Sequence, residues 1–116
     1  MKKLLLLSLA LVFAFSATAF AAEKKITISN KSNEKIICIE VAPNEEGDWI
    51  TLYQSDKGVE PGKSITLTFD RQDIVLWRIF IETERDENTW DEMNLRKYSK
   101  FTFSYDEDDD GYLEWR

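Results

Sequence analysis

The sequence predicts an all-β fold: a single antiparallel β-sandwich of about seven short strands that follows a cleaved signal peptide. Apolar side chains alternate with polar ones in several short runs after residue 22, and polar turn residues separate these runs. The same region carries no amphipathic helical pattern. Short alternating runs joined by polar turns are typical of sandwiches and small barrels.

The alternation places the expected strands in order along the chain. Each run presents one apolar face, and residues 112–115 are compatible with a last strand that pairs back on 101–105. The expected inward side chains are Ile26 and Ile28 in the first strand; Ile37, Ile39 and Val41 in the second; Ile65, Leu67 and Phe69 in the run 64–69; and Phe101, Phe103 and Tyr105 near the end.

Three stretches need separate interpretation. Residues 74–81 are apolar on both faces, which predicts a central strand buried on both sides. Residues 43–61 are mostly loop in composition, although 49–53 is compatible with a short strand or a helical turn. Residues 82–88 predict an acidic, solvated hairpin connection that leads to Trp90.

The first 21 residues have the layout of a secretory signal peptide. Lys2 and Lys3 precede an apolar run over 4–15, and Ala19 and Ala21 offer a small-x-small cleavage site. The run is too short for a membrane span, and no cysteine follows it to carry a lipid anchor. We therefore expect a signal peptide at 1–21, a β-sandwich domain at 22–116, and export to the periplasm or the extracellular space.

Charge limits the partners of the exported domain. The chain has a formal net charge of −7, which falls to about −9 once Lys2 and Lys3 are removed. Such a surface repels nucleic acid and anionic lipid. We expect a protein or another envelope component as partner, no nucleic acid, no membrane span, and a monomer.

The residues needed for common catalytic sites are missing. The chain has no histidine, which excludes the usual serine and cysteine triads and the common zinc sites. Its single cysteine, Cys38, lies in the apolar run 36–39, where a small buried residue is expected rather than a nucleophile. The sequence therefore predicts a protein that is not an enzyme and that needs no cofactor, calcium excepted.

An acidic loop near the end of the chain is the one candidate metal site. Asp106, Asp108 and Asp110 occupy positions one, three and five of a calcium loop, and Gly111 occupies position six. The bidentate glutamate at position twelve is lacking, and no flanking helices are predicted. The alternative is a β-hairpin in which Asp110 and Gly111 form the turn.

Tryptophan offers a second candidate contact. Trp49 and Trp90 border loops, so they are candidate contacts for a sugar or another partner. Burial in the core or at its rim is the alternative for both residues. An exposed coplanar pair would favour sugar binding, whereas an exposed unpaired strand edge would favour protein binding.

An ordered set of short segments resembles a group of small secreted bacterial β-sandwich proteins whose function is not established. The resemblance spans most of the domain and rests on these pieces: Ile26 to Ser32, Ile39 to Pro43 with Asp48 and Trp49, Val59 to Ile65, Leu76 to Ile79, and Trp90 with Met93 to Leu95.

The chain departs from the family pattern in one respect, and one label carried by some family members does not apply to it. Related proteins often carry two cysteines where this chain has Val75 and Arg96, so the cross-link that the family pattern implies is absent here. Some members are labelled argininosuccinate lyase, a label that this chain is too short to justify. The resemblance implies a secreted module with a binding or interaction role, with calcium or carbohydrate binding as the alternative.

Overall fold

The structure is a computed structural model that describes residues 23–44, 47–70 and 74–116. The predicted signal peptide and its cleavage site lie outside the described residues. The described part contains no helix, and therefore none that is long and apolar enough to cross a membrane.

Eight strands build the described part of the chain. They are β1 (Glu23–Asn30), β2 (Ile36–Pro43), β3 (Ile50–Val59), β4 (Ser64–Asp70), β5 (Leu76–Thr83), β6 (Glu87–Asn94), β7 (Lys100–Tyr105) and β8 (Gly111–Trp115).

The strands form two packed four-stranded sheets, which confirms the predicted β-sandwich. Sheet A has the order β4-β1-β7-β8, and sheet B has the order β3-β2-β5-β6. All pairs are antiparallel except β1 with β7, which run parallel from Thr27 opposite Lys100 to Asn30 opposite Phe103. The prediction of a purely antiparallel sandwich is therefore wrong in this one pair, because alternation defines faces and not strand direction.

The core lies between the inward faces of the two sheets. Ile26 and Ile28 of sheet A are fully buried, as are Ile79 and Ile81 of sheet B. The sheets meet through aromatic contacts; the rings of Phe69 and Trp77, for example, lie edge to face at 5.2 Å between centroids. The remaining inward side chains of the core include Val41, Leu67, Phe101, Phe103 and Leu113.

Sheet B differs from the sequence prediction in three places. Residues 50–59, read mostly as loop, form the longest strand, β3, which packs Ile50 and Leu52 against the core. Ile37 lies at a register shift between Ile36 and Cys38, so Ile36 takes the buried inward position. In β5 only one face is buried, and Leu76 on the other face is 40% exposed.

A buried asparagine joins two loops at one end of the sandwich. Asn30 is fully buried, and its side-chain amide donates to the carbonyl oxygens of Glu34 and Val59, each at 2.8 Å. Its Oδ1 accepts from the backbone and hydroxyl of Ser32 at 3.0 and 2.6 Å. Asn30 therefore ties the β1–β2 turn to the end of β3, with its amide donors and acceptor satisfied.

Candidate functional site

Cys38 lies on the outer face of sheet B and yet is only 3% exposed. It pairs with Glu82 of β5, and its Sγ lies 3.6 Å from Oε2 of Glu40. Burial, followed by the negative charge and hydrogen bond of Glu40 and the charges of Glu82 and Glu87, raises the pKa of the thiol from 9.0 to about 11. A thiol that stays protonated at neutral pH is a poor nucleophile.

The raised pKa of Cys38 predicts that the protein loses stability as the pH becomes alkaline. The folded state disfavours the thiolate. The contribution of the protonated Cys38 thiol to the free energy of unfolding is therefore complete below pH 9 and is lost as pH rises towards 11. We expect the free energy of unfolding to fall by about 2 kcal/mol more in the parent protein than in Cys38→Ala over this interval. Urea denaturation at pH 8, 9, 10 and 11 measures the difference, and parallel curves for the two proteins would contradict it.

The acidic 106–110 loop is the turn between β7 and β8. Oδ1 of Asp106 accepts hydrogen bonds from the backbone N–H groups of Asp108 and Asp110, each at 2.9 Å. The backbone N–H of Asp106 also donates to the carbonyl of Asp110 at 3.0 Å. One oxygen of Asp106 is thus engaged in closing the turn.

The turn uses a different residue from the one that sequence pattern suggests. The left-handed backbone conformation falls on Asp109, with φ of 66°, and not on Gly111. Gly111 is the first residue of β8, where an added Cβ would clash with the side-chain amide of Asn88. A side chain at position 111 would therefore have to displace the Asn88 amide from this contact between β8 and β6.

The β7–β8 turn is linked to the β5–β6 turn by polar contacts across the two sheets. The hydroxyl of Tyr105 donates to Oδ1 of Asp86 at 2.6 Å and lies 2.8 Å from Oγ1 of Thr83. Burial and the hydrogen bond to Asp86 raise the pKa of Tyr105. Arg85 stacks over the Tyr105 ring at 4.5 Å and lies 3.5 Å from the Asp109 carboxylate. These contacts hold the sheets together at this end.

The 106–110 loop, the candidate metal site, lies wholly within the described residues. No three acidic or cysteine side chains in this part of the chain are arranged to hold an ion. Calcium binding by Asp106, Asp108 and Asp110 stays a prediction.

The two candidate tryptophans lie on opposite faces of sheet B. Trp49 is 38% exposed on the outer face, where its ring contacts Phe80 and is covered by the guanidinium of Arg78 at 4.7 Å. Trp90 faces the core and lies edge to face with Phe103 at 5.9 Å. The two rings therefore do not form a shared platform for a sugar.

Strand β8 is an open edge of sheet A. Lys100 and Arg116 exchange two backbone hydrogen bonds of 2.9 Å, which makes them a hydrogen-bonded pair of the antiparallel ladder. Such pairs alternate with non-bonded pairs, so the residues that lie opposite Phe101, Phe103 and Tyr105 direct their N–H and C=O groups away from β7. These residues of β8 are Trp115, Leu113 and Gly111.

The other edges differ from β8 in regularity or in side chains. A bulge interrupts β6 between Trp90 and Met93, with Glu92 at a φ of 56°, and register shifts interrupt β3. Bulges hinder the addition of another strand. Strand β4 is regular but presents no large apolar side chain, whereas Tyr112 and Trp115 on β8 are each 48% exposed. Within the described residues, β8 thus combines a regular edge with exposed aromatic rings.

A pocket of about 290 Å³ opens beside the end of β8, and we call it the Trp115 pocket. It lies between the two sheets, where β6 ends and β8 ends. Its lining residues are Asp91, Glu92, Met93, Asn94, Tyr98 and Trp115. Sequence reasoning missed this pocket, because residues from 91 to 115 meet there only after the sheets have packed.

Comparison with known proteins supports the fold alone. No protein-family model matches the chain, and no curated protein matches it. Among solved structures, the chain is similar to the NMR structure of a protein from Eubacterium rectale, with a TM-score of 0.61 and 17% sequence identity. The similarity covers 81% of this chain and 88% of that chain.

Proposed function

We propose that this chain is an exported, non-catalytic module that binds a polypeptide of the cell envelope through the open edge of β8. The observation that carries the proposal is the regular edge of β8, which pairs with no further strand among the described residues and on which Tyr112 and Trp115 are each 48% exposed, while Leu113 between them is 2% exposed. An extended segment added to such an edge gains main-chain hydrogen bonds, and nearby pockets select its side chains.

Two further observations support a binding role over catalysis. The chain has no histidine, and its single thiol has a pKa raised to about 11. The positively charged head and apolar run of residues 2–15 support export, and the resemblance to small secreted bacterial β-sandwich proteins agrees with a binding module. Calcium binding by the 106–110 loop and carbohydrate binding through Trp49 or Trp90 remain the alternatives.

Photocross-linking from the edge tests the proposal. A benzoylphenylalanine placed at Tyr112 in cells that express the full chain should give a discrete adduct after irradiation. The same group at Thr68, an exposed residue of the regular β4 edge, is the matched control and should give none. Digestion of the partner by protease identifies it as a polypeptide. Equal adducts at both positions, no adduct at 112, or a partner that resists protease would contradict the proposal.

A further inference from the structure

The Trp115 pocket combines aromatic rings with carboxylates. The rings of Tyr98 and Trp115 lie edge to face at 6.3 Å between centroids. Asp91 and Glu92 lie at the rim of the same pocket, and both are exposed. Aromatic faces attract cations through the ring quadrupole, and carboxylates beside them add Coulomb attraction.

Three other aromatic rings of the described residues already have a cation over one face. The Arg78 guanidinium stacks over Trp49 at 4.7 Å, and that of Arg85 stacks over Tyr105 at 4.5 Å. Lys97 lies over the Tyr98 ring at 5.4 Å. Trp115, in contrast, has no cation over its ring within the described residues and keeps 48% of its surface exposed.

The pocket carboxylates also have no cationic partner at salt-bridge distance. The described residues contain two salt bridges, and neither involves Asp91 or Glu92. Arg78 lines a second cavity together with Asp91 and Glu92, but its guanidinium donates to the carbonyls of Pro43 and Gly47 at 3.3 and 3.1 Å. Asp91 and Glu92 thus line both the cavity of Arg78 and the Trp115 pocket, and in the Trp115 pocket the indole ring carries no cation from the described residues.

We propose that the Trp115 pocket binds an arginine side chain of the polypeptide that pairs with β8. This inference rests on the proposed function, because the pocket adjoins the last residue of the open edge. The planar guanidinium stacks on the indole ring while its N–H groups face Asp91 and Glu92. The segment bound at β8 is thus basic, which agrees with the net negative charge of the chain.

Titration with N-acetylarginine amide tests the pocket by itself. Its matched probe, N-acetylnorleucine amide, has an apolar side chain and no charge. In two-dimensional NMR spectra of the secreted protein, the arginine probe should shift the Trp115 indole N–H signal in a saturable manner, and the norleucine probe should not.

Charge-neutralising variants test the two carboxylates. Asp91→Asn combined with Glu92→Gln should weaken binding of the arginine probe by about fivefold to tenfold, as expected for the loss of two exposed ion pairs. Asp108→Asn combined with Asp110→Asn removes the same charge at the other end of the sandwich and should change affinity less than twofold.

The outcomes separate this proposal from the function on which it rests. No saturable shift, an equal response to both probes, or equal weakening in the two double variants would overturn the arginine pocket. Cross-linking at position 112 would then still test whether the edge of β8 binds a polypeptide. If the probe binds but position 112 gives no adduct, the pocket accepts guanidinium groups and the strand-edge function is wrong.

Discussion

Replacement of Asn30 by aspartate should destabilise the domain by about 3–5 kcal/mol, the cost of an uncompensated buried charge. Asn30 is fully buried, and its amide nitrogen donates to the carbonyls of Glu34 and Val59. Aspartate has the same shape, but it brings a carboxylate oxygen against these two carbonyl oxygens. Since the substitution leaves packing unchanged, the loss reports on hydrogen bonding and charge alone.

Urea denaturation followed by tryptophan fluorescence measures this loss. Asn33→Asp is the matched control, because Asn33 lies in the same turn and is exposed. It should change the free energy of unfolding by less than about 0.5 kcal/mol. If the two variants were equally stable, Asn30 would not be the buried junction that the structure describes.

Truncation of Trp77 to alanine should cost about 3–5 kcal/mol as well, for a different reason. Trp77 is 2% exposed, packs edge to face on Phe69 of the other sheet, and donates its indole N–H to the carbonyl of Ile74 at 3.2 Å. Its removal leaves a cavity between the sheets and an unpaired carbonyl. A domain of this size has little stability to spare, so we expect a much lower melting temperature.

Trp49→Ala provides the control for Trp77→Ala. Trp49 is 38% exposed and lies on the outer face of sheet B, outside the core. We expect it to cost about 1 kcal/mol, through lost contacts with Phe80 and Arg78. Thermal denaturation by circular dichroism compares the two variants. Equal melting temperatures would contradict the assignment of Trp77 to the inter-sheet core.

Alternation predicted the inward residues best in strands with one buried face and no bulge. Residues 64–69 and 101–105 alternate cleanly, and the structure places β4 and β7 there. Alternation failed for β3, because its register shifts break the period of two and its composition is that of a loop. It also misjudged β5, because Phe80 and Leu76 on the outer face are covered only in part.

The candidate functional site was predictable from the sequence only in part, since its geometry depends on strand register and on the order of strands in each sheet. The β7–β8 hairpin was anticipated as one of two interpretations of the 106–110 loop, and the structure has that hairpin. The separation of Trp49 from Trp90 was not predictable, because sequence does not say which face of sheet B each ring occupies. The exposed edge of β8 follows from its position beside β7 alone, which only the sheet topology reveals.

The most direct test of the account is the comparison of cross-linking from Tyr112 with that from Thr68. The account predicts a single protease-sensitive partner joined to position 112 and nothing joined to position 68, because β8 pairs with an extended chain. An unmodified protein at position 112, or an adduct of equal yield on β4, would contradict the claim that this edge binds a polypeptide.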